Sequence, residues 1–205
     1  MKIIGKGILL TMVVALFCAT VMAQDNDMPK KPMPSRSVAN ATMPPPPQPS
    51  AEMTKLIQMM AGNWTVVEKS EPSPMFPTGG TGKGTAKNWA GPGGLSLLES
   101  YHSSGVMGTN FIGAGTLWWD PKIGAYRGVW CDSMTPNGCD GSGTLKWDGE
   151  TLTGMQESDM NGQKMTMKFT YTNWSSRSYV MTMSMGPDAN SLKEMVTITY
   201  TKAAQ

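Results

Sequence analysis

The sequence predicts an all-β fold, an antiparallel meander of about ten strands closed into a β-barrel behind one short N-terminal helix. Three observations carry that expectation. From residue 63 onward apolar residues recur at alternate positions, no helical period of useful length returns, and turn chemistry breaks the chain at short intervals. Strands are expected near 63–69, 82–89, 95–102, 110–119, 124–132, 139–147, 150–157, 163–174, 177–185 and 192–201. Asp148-Gly149 and Asn161-Gly162 suit tight hairpins, Asp120-Pro121 and Gly186-Pro187-Asp188 suit longer ones, and consecutive strands therefore pair as neighbours.

Ahead of the strands the chain divides by composition. Lys2 and Lys6 precede an apolar run from Ile8 to Met22, and Val21-Met22-Ala23 stands before Gln24. That order is the grammar of a secretory signal peptide over residues 1–23, cleaved after Ala23, so the mature chain is expected to be secreted or periplasmic. A membrane anchor needs roughly 20 apolar residues, and this run is shorter and interrupted by Thr11. Acylation of Cys18 would need small residues before it, where Leu16 and Phe17 stand instead. Losing Lys2 and Lys6 from 17 basic residues leaves 15 against 15 acidic ones, a neutral chain without the basic face that nucleic acid or a membrane surface requires.

Residues 24–50 carry eight prolines, no aromatic residue and no apolar period, so they cannot bury enough surface to offset their ordering entropy. A disordered proline-rich arm is expected there, with Met43 to Pro49 in polyproline II as a spacer or as a docking segment for an envelope protein. Ser50 then reads as an N-cap, with Glu52 in the first turn and Met53, Leu56, Ile57 and Met60 at helical spacing up to Gly62. Residues 51–205 form one domain, long enough for a single core and too short for two.

The late strands show the buried face most clearly. Met165, Met167, Phe169 and Tyr171 alternate with Lys164, Thr166, Lys168 and Thr170. Tyr179, Met181, Met183 and Met185 alternate with polar or β-branched residues, and Val196, Ile198 and Tyr200 alternate with threonines. Strands with one recurring apolar face avoid open edges by stacking as two sheets or by curling, and the meander order favours the barrel. Cys131 and Cys139 are an even pair in an exported chain and are expected to form a disulfide that pins the Pro136-Asn137-Gly138 turn. Their spacing is not that of a redox dithiol.

Chemical motifs are sparse. Thr78 to Thr85 is glycine-rich around Lys83, but Pro77 replaces the first required glycine and no helix follows, so it reads as a loop rather than a phosphate cradle. The one histidine, His102, has only Ser103 and Ser104 beside it, and Asp120, Asp132 and Asp140 sit where turns favour aspartate. No catalytic residue, metal ligand or cofactor is assigned. Methionine is the oddity, 20 in the sequence, and its alternating series reads as flexible core filling. A soft Cu(I) site is the sharper alternative. Trp118 and Trp119 must point to opposite faces, which puts one of them at a rim or outside.

The helix running into Gly62-Asn63-Trp64 resembles the opening of lipocalin-like (calycin) barrels. Leu117 to Asp120, Tyr126 to Ser133, Asp148 to Thr153, Lys193-Glu194-Met195 and Tyr200-Thr201-Lys202 resemble, over residues 55–202, a family of uncharacterised bacterial secreted proteins, a domain of unknown function. The resemblance implies a calycin-type barrel with Trp64 packing its floor. Some calycin relatives hold haem through a late histidine, and His102 is early, which argues against haem here.

The expected function is a binding protein of the cell envelope. It would hold a small, largely apolar molecule against Met165, Met167, Phe169, Tyr179, Met181, Met183 and Ile198, with Trp130 as a further contact and Trp64, Cys131 and Cys139 as structural residues. The runner-up is a packed, ligand-free barrel that meets an envelope partner through its proline arm. A copper site, or an enzyme built on His102 and the Asp132 region, comes third.

Overall fold

A computed structural model describes residues 44–204 except 74, 75, 107, 136, 137, 140–142 and 161, with the side chains of 109 and 160 also left out. The expected signal segment, most of the arm and the Pro136-Asn137 turn lie outside the described residues. The chain divides after Pro44, and the barrel belongs to the unit Pro45–Gln205.

Helix α1 spans Ala51–Met60. Ser50 caps it as its sequence position predicts, its hydroxyl accepting from the Met53 amide at 3.1 Å. Met53, Leu56 and Met60 are buried on one face, each adding roughly 1.5–3 kcal/mol of apolar transfer. Strands β1 (Gly62–Ser70), β2 (Gly80–Ala90), β3 (Ser96–Gly105), β4 (Gly108–Asp120), β5 (Ala125–Asp132), β6 (Gly143–Asp148), β7 (Thr151–Met160), β8 (Gln163–Thr172), β9 (Ser178–Gly186) and β10 (Lys193–Lys202) come after it. Each pairs antiparallel with the next, and β10 returns to β1 with Trp64 opposite Lys202 and Lys69 opposite Thr197. The ten-strand barrel is closed, which removes the open edges that a flat meander would present.

β2, β3, β4 and β7 extend two or three residues beyond their expected limits, and two other strands fall short of theirs by two or more. The strand expected over 139–147 is described from Gly143, and Cys139, expected within it, is instead bonded to Cys131 at the end of β5. Among the described residues the β5–β6 ladder runs from Tyr126 opposite Leu145 to Gly128 opposite Gly143. The strand expected over 163–174 ends at Thr172, because Asn173 turns into the left-handed region at φ 54°.

The helix closes one end of the barrel. Its last carbonyl, on Met60, accepts from Trp64 Nε1 at 2.9 Å and Asn88 Nδ2 at 3.2 Å, while the Tyr126 hydroxyl donates to the Glu52 carbonyl at 2.8 Å. These bonds occupy helix carbonyls and fix α1 to β1, β2 and β5; that of Met60, in the last turn, has no partner within the helix. Trp64 is buried beneath it, edge-on to Tyr179 with ring centroids 4.9 Å apart.

Candidate ligand site inside the barrel

The wall of β8, β9 and β10 presents one continuous apolar face. Met167 lies opposite Met185, Phe169 opposite Met183 and Tyr171 opposite Met181 across the β8–β9 ladder. Ile198 lies opposite Met181 and Tyr200 opposite Tyr179 across β9–β10. Paired residues share a face, so Met165, Met167, Phe169, Tyr179, Met181, Met183 and Ile198 stand on the same inner surface. Met167, Tyr179 and Ile198 are buried in the core, whereas Met165, Phe169, Met181 and Met183 pack against it and keep part of their surface accessible.

Trp130 reaches this interior from β5. It lies over Gly113 and Gly115 of β4, where a β-carbon on either glycine would overlap its ring. Its indole Nε1 donates to Asp132 Oδ2 at 2.9 Å, and Asp132 Oδ1 accepts from the Met134 and Thr135 amides, each at 2.8 Å. Asp132 therefore anchors the ring and the loop after β5. The disulfide lies at the same place.

The wall of β1, β2 and β3 differs in kind. Trp64, Val66, Glu68 and Ser70 point inward from β1, Ala86 and Asn88 from β2, and Leu97, Glu99, Tyr101 and Ser103 from β3. Glu68 is fully buried; its Oε1 accepts from the Tyr101 hydroxyl at 2.7 Å, and its Oε2 has no hydrogen-bond partner among the described residues. Asn88 spends its amide hydrogens on Met60 O and on the Tyr179 hydroxyl at 3.4 Å, which leaves its Oδ1 unpaired among the described residues. Such orphaned groups each cost about 1–3 kcal/mol when nothing fills the space beside them.

Glu99 stands opposite Asn88 on one ladder and Gly115 on the other. It retains some accessible surface, but that surface faces the enclosed interior, and burial pushes its carboxyl up from 4.5 to about 7. Its charge also acts on Tyr101, Tyr171, Tyr179 and Tyr200, whose hydroxyls burial already raises, with the Glu68 contact adding to the rise at Tyr101. Among the described residues no lysine, arginine or histidine forms an ion pair with Glu68 or Glu99. Around them the rings interlock: Tyr179 stacks on Tyr200 at 4.3 Å and on Trp174 at 5.0 Å.

The other sequence candidates lie elsewhere. His102 is exposed on the outer face, 2.8 Å from Asn110 Oδ1, and Ser103 beside it points the opposite way. Asp120 is bound to Arg127 at 2.7 Å, and that guanidinium holds its carboxyl below the usual carboxylate range. It lies at the end of β4 and β5 away from Asp132, so the two acids do not converge. Asp140 lies outside the described residues. Trp118 and Trp119 alternate as expected, with Trp119 against the core and edge-on to Tyr126 at 5.1 Å. No group of three or more histidine, cysteine, aspartate or glutamate side chains gathers as a metal site among the described residues. Two shallow depressions mark the surface, one among Thr65, Thr85, Lys87 and His102, the other at the rim among Gln156, Met165 and Asp188.

Sequence patterning alone did not single out Glu68, Asn88, Glu99 and Tyr101. The signal was present: Glu68 keeps step with Trp64 and Val66, and Glu99 and Tyr101 keep step with Leu97.

The fold has relatives among solved structures. The S-type phycobiliprotein lyase CPES from Guillardia theta is 8% identical with a TM-score of 0.54, over 74% of this chain and 93% of that one. Rv2717c from M. tuberculosis is 12% identical with a TM-score of 0.52, over 77% of this chain and 100% of that one. Both likenesses show the fold alone. No curated protein matches the chain. The family model described as a protein of unknown function (DUF1579) matches residues 48–202, and the chain belongs to that family.

Proposed function

We propose that the protein is an exported binding protein that holds a small, largely apolar molecule inside its barrel. The observation that carries this reading is that Trp130, Met165, Phe169, Tyr171, Met181 and Met183 belong to the inner side yet remain only half-buried. A barrel filled by its own side chains would bury them fully, whereas a ten-strand barrel has the girth for a guest. Thioethers suit such a lining, since methionine is unbranched and adapts to irregular shapes. Export rests on the signal-like order of residues 1–23 and the Cys131–Cys139 pairing, a bond at home in an oxidising compartment.

The test is to purify the protein from the host that makes it, record its mass under native conditions, and extract it with organic solvent. The expected result is cleavage after Ala23, an intact disulfide, and either a stoichiometric small molecule or saturable uptake of the neutral dye Nile red. A folded, empty protein that takes up no dye contradicts it.

A further inference from the structure

Resting on that reading, we infer that the guest is an organic cation, an amine or quaternary ammonium with an apolar tail, whose charged end lies beside Glu99 and Glu68 among the tyrosine rings of β3, β9 and β10. The polar wall offers acceptors. Among the described residues Glu68 Oε2 and Asn88 Oδ1 are buried without partners, and the Glu99 carboxyl joins them on the same inner face. Glu68 and Glu99 stand on the same inner wall with no cation paired to either among the described residues, which leaves that wall open to a cationic guest.

The surroundings agree with that chemistry. Gly113 and Gly115 on β4 are the seat of the Trp130 ring, which brings it beside Tyr101. A β-carbon on Gly82 would overlap Glu68 Oε2, so a glycine is what lets that oxygen sit at the wall. Tyr101 stands edge-on to Trp130 at 6.3 Å and tilted against Tyr200 at 6.4 Å. Ring faces attract a desolvated cation, and a quaternary ammonium needs no hydrogen bond from its host. Phe169, Met181, Met183 and Ile198 across the barrel would take the tail.

Titration of Glu99 gives the site a pH signature. The titratable groups around it are Glu68 on β1, Tyr101 on its own strand, Tyr171 on β8, Tyr179 on β9 and Tyr200 on β10. Burial keeps the tyrosines neutral throughout the working range, and Glu99, pushed up to about 7, gains its charge near neutrality.

The experiment uses the whole mature chain and three probes: hexanoylcholine, its uncharged isostere 3,3-dimethylbutyl hexanoate, and hexanoate. Titration calorimetry at pH 8 is expected to give hexanoylcholine at least a roughly tenfold advantage over the neutral ester, shrinking severalfold at pH 5.5. Glu99→Gln is expected to bring the two esters within about twofold of each other while the neutral ester binds as before. The wild-type ratio at the two pH values decides the matter if that variant does not fold. Equal binding of the two esters at pH 8, or preference for hexanoate, overturns the cation inference and leaves the binding-protein reading standing. Failure of all three probes to bind a folded sample overturns both.

Discussion

Between β8 and β10 the inner wall is made of thioethers and rings, whereas between β1 and β3 the same wall carries Glu68, Asn88, Glu99, Tyr101 and Ser103. The two sectors share a floor, Trp64 beneath α1, and a layer of tyrosines. They differ in what they cost the fold. The thioether sector repays its burial through the apolar area it removes from water. The polar sector buries two carboxyls and several unpaired oxygens, which oppose folding unless something outside the chain meets them. A domain that needed only a stable core would have no use for the second sector.

The shared floor is the first place to break the comparison. Trp64→Ala should cost about 3–5 kcal/mol in a urea titration and weaken both sectors together, because the indole holds α1 to the barrel and packs on Tyr179. A loss below about 1 kcal/mol would mean that the floor is not continuous with the wall.

Glu99 separates the sectors by pH. A carboxyl raised from 4.5 to about 7 binds more protons folded than unfolded, so stability is highest in acid and falls as pH rises through that window. The fall is at most about 3 kcal/mol, and Glu99→Gln should abolish it, leaving the variant more stable than wild type at pH 8 and nearly equal at pH 4. Urea midpoints at the two pH values read this directly; a wild-type curve without that fall contradicts an enclosed Glu99.

Gly82→Ala sharpens the polar sector from the other side. The added methyl must displace the Glu68 carboxylate, at about 1–3 kcal/mol, and should also disturb the Glu68–Tyr101 hydrogen bond. The smallest effect belongs to the thioether sector, where Met181→Leu with Met183→Leu should each change stability by less than about 1.5 kcal/mol and leave Nile red uptake intact. A large loss of binding on that exchange would point to sulfur acting as a ligand rather than as packing.

How legible each sector was depends on its alternation. In β8, Met165, Met167 and Phe169 alternate with Lys164, Thr166 and Lys168, and in β9 tyrosine and methionine alternate with polar or β-branched residues, so parity was plain. In β1 the parity of Trp64 and Val66 runs into a glutamate, and the general rule that carboxylates face water assigns Glu68 to the wrong side. In β3 the adjacent Leu97 and Leu98 blur the period just before Glu99. Trp130 was visible as an aromatic, but its place over Gly113 and Gly115 depends on the β4–β5 register, which no local pattern encodes. The barrel order and Ser50 as the cap were readable because turn and capping chemistry are local.

Methionines inside and outside the barrel decide whether a guest enters it. With methyl-13C-methionine in the whole mature chain, the neutral 3,3-dimethylbutyl hexanoate should shift the Met167, Met181 and Met183 methyl resonances at saturation. It should leave those of Met134 and Met155, 61% and 37% exposed, unmoved. Shifts confined to Met134 and Met155, with the inner methyls silent, would contradict a guest inside the barrel.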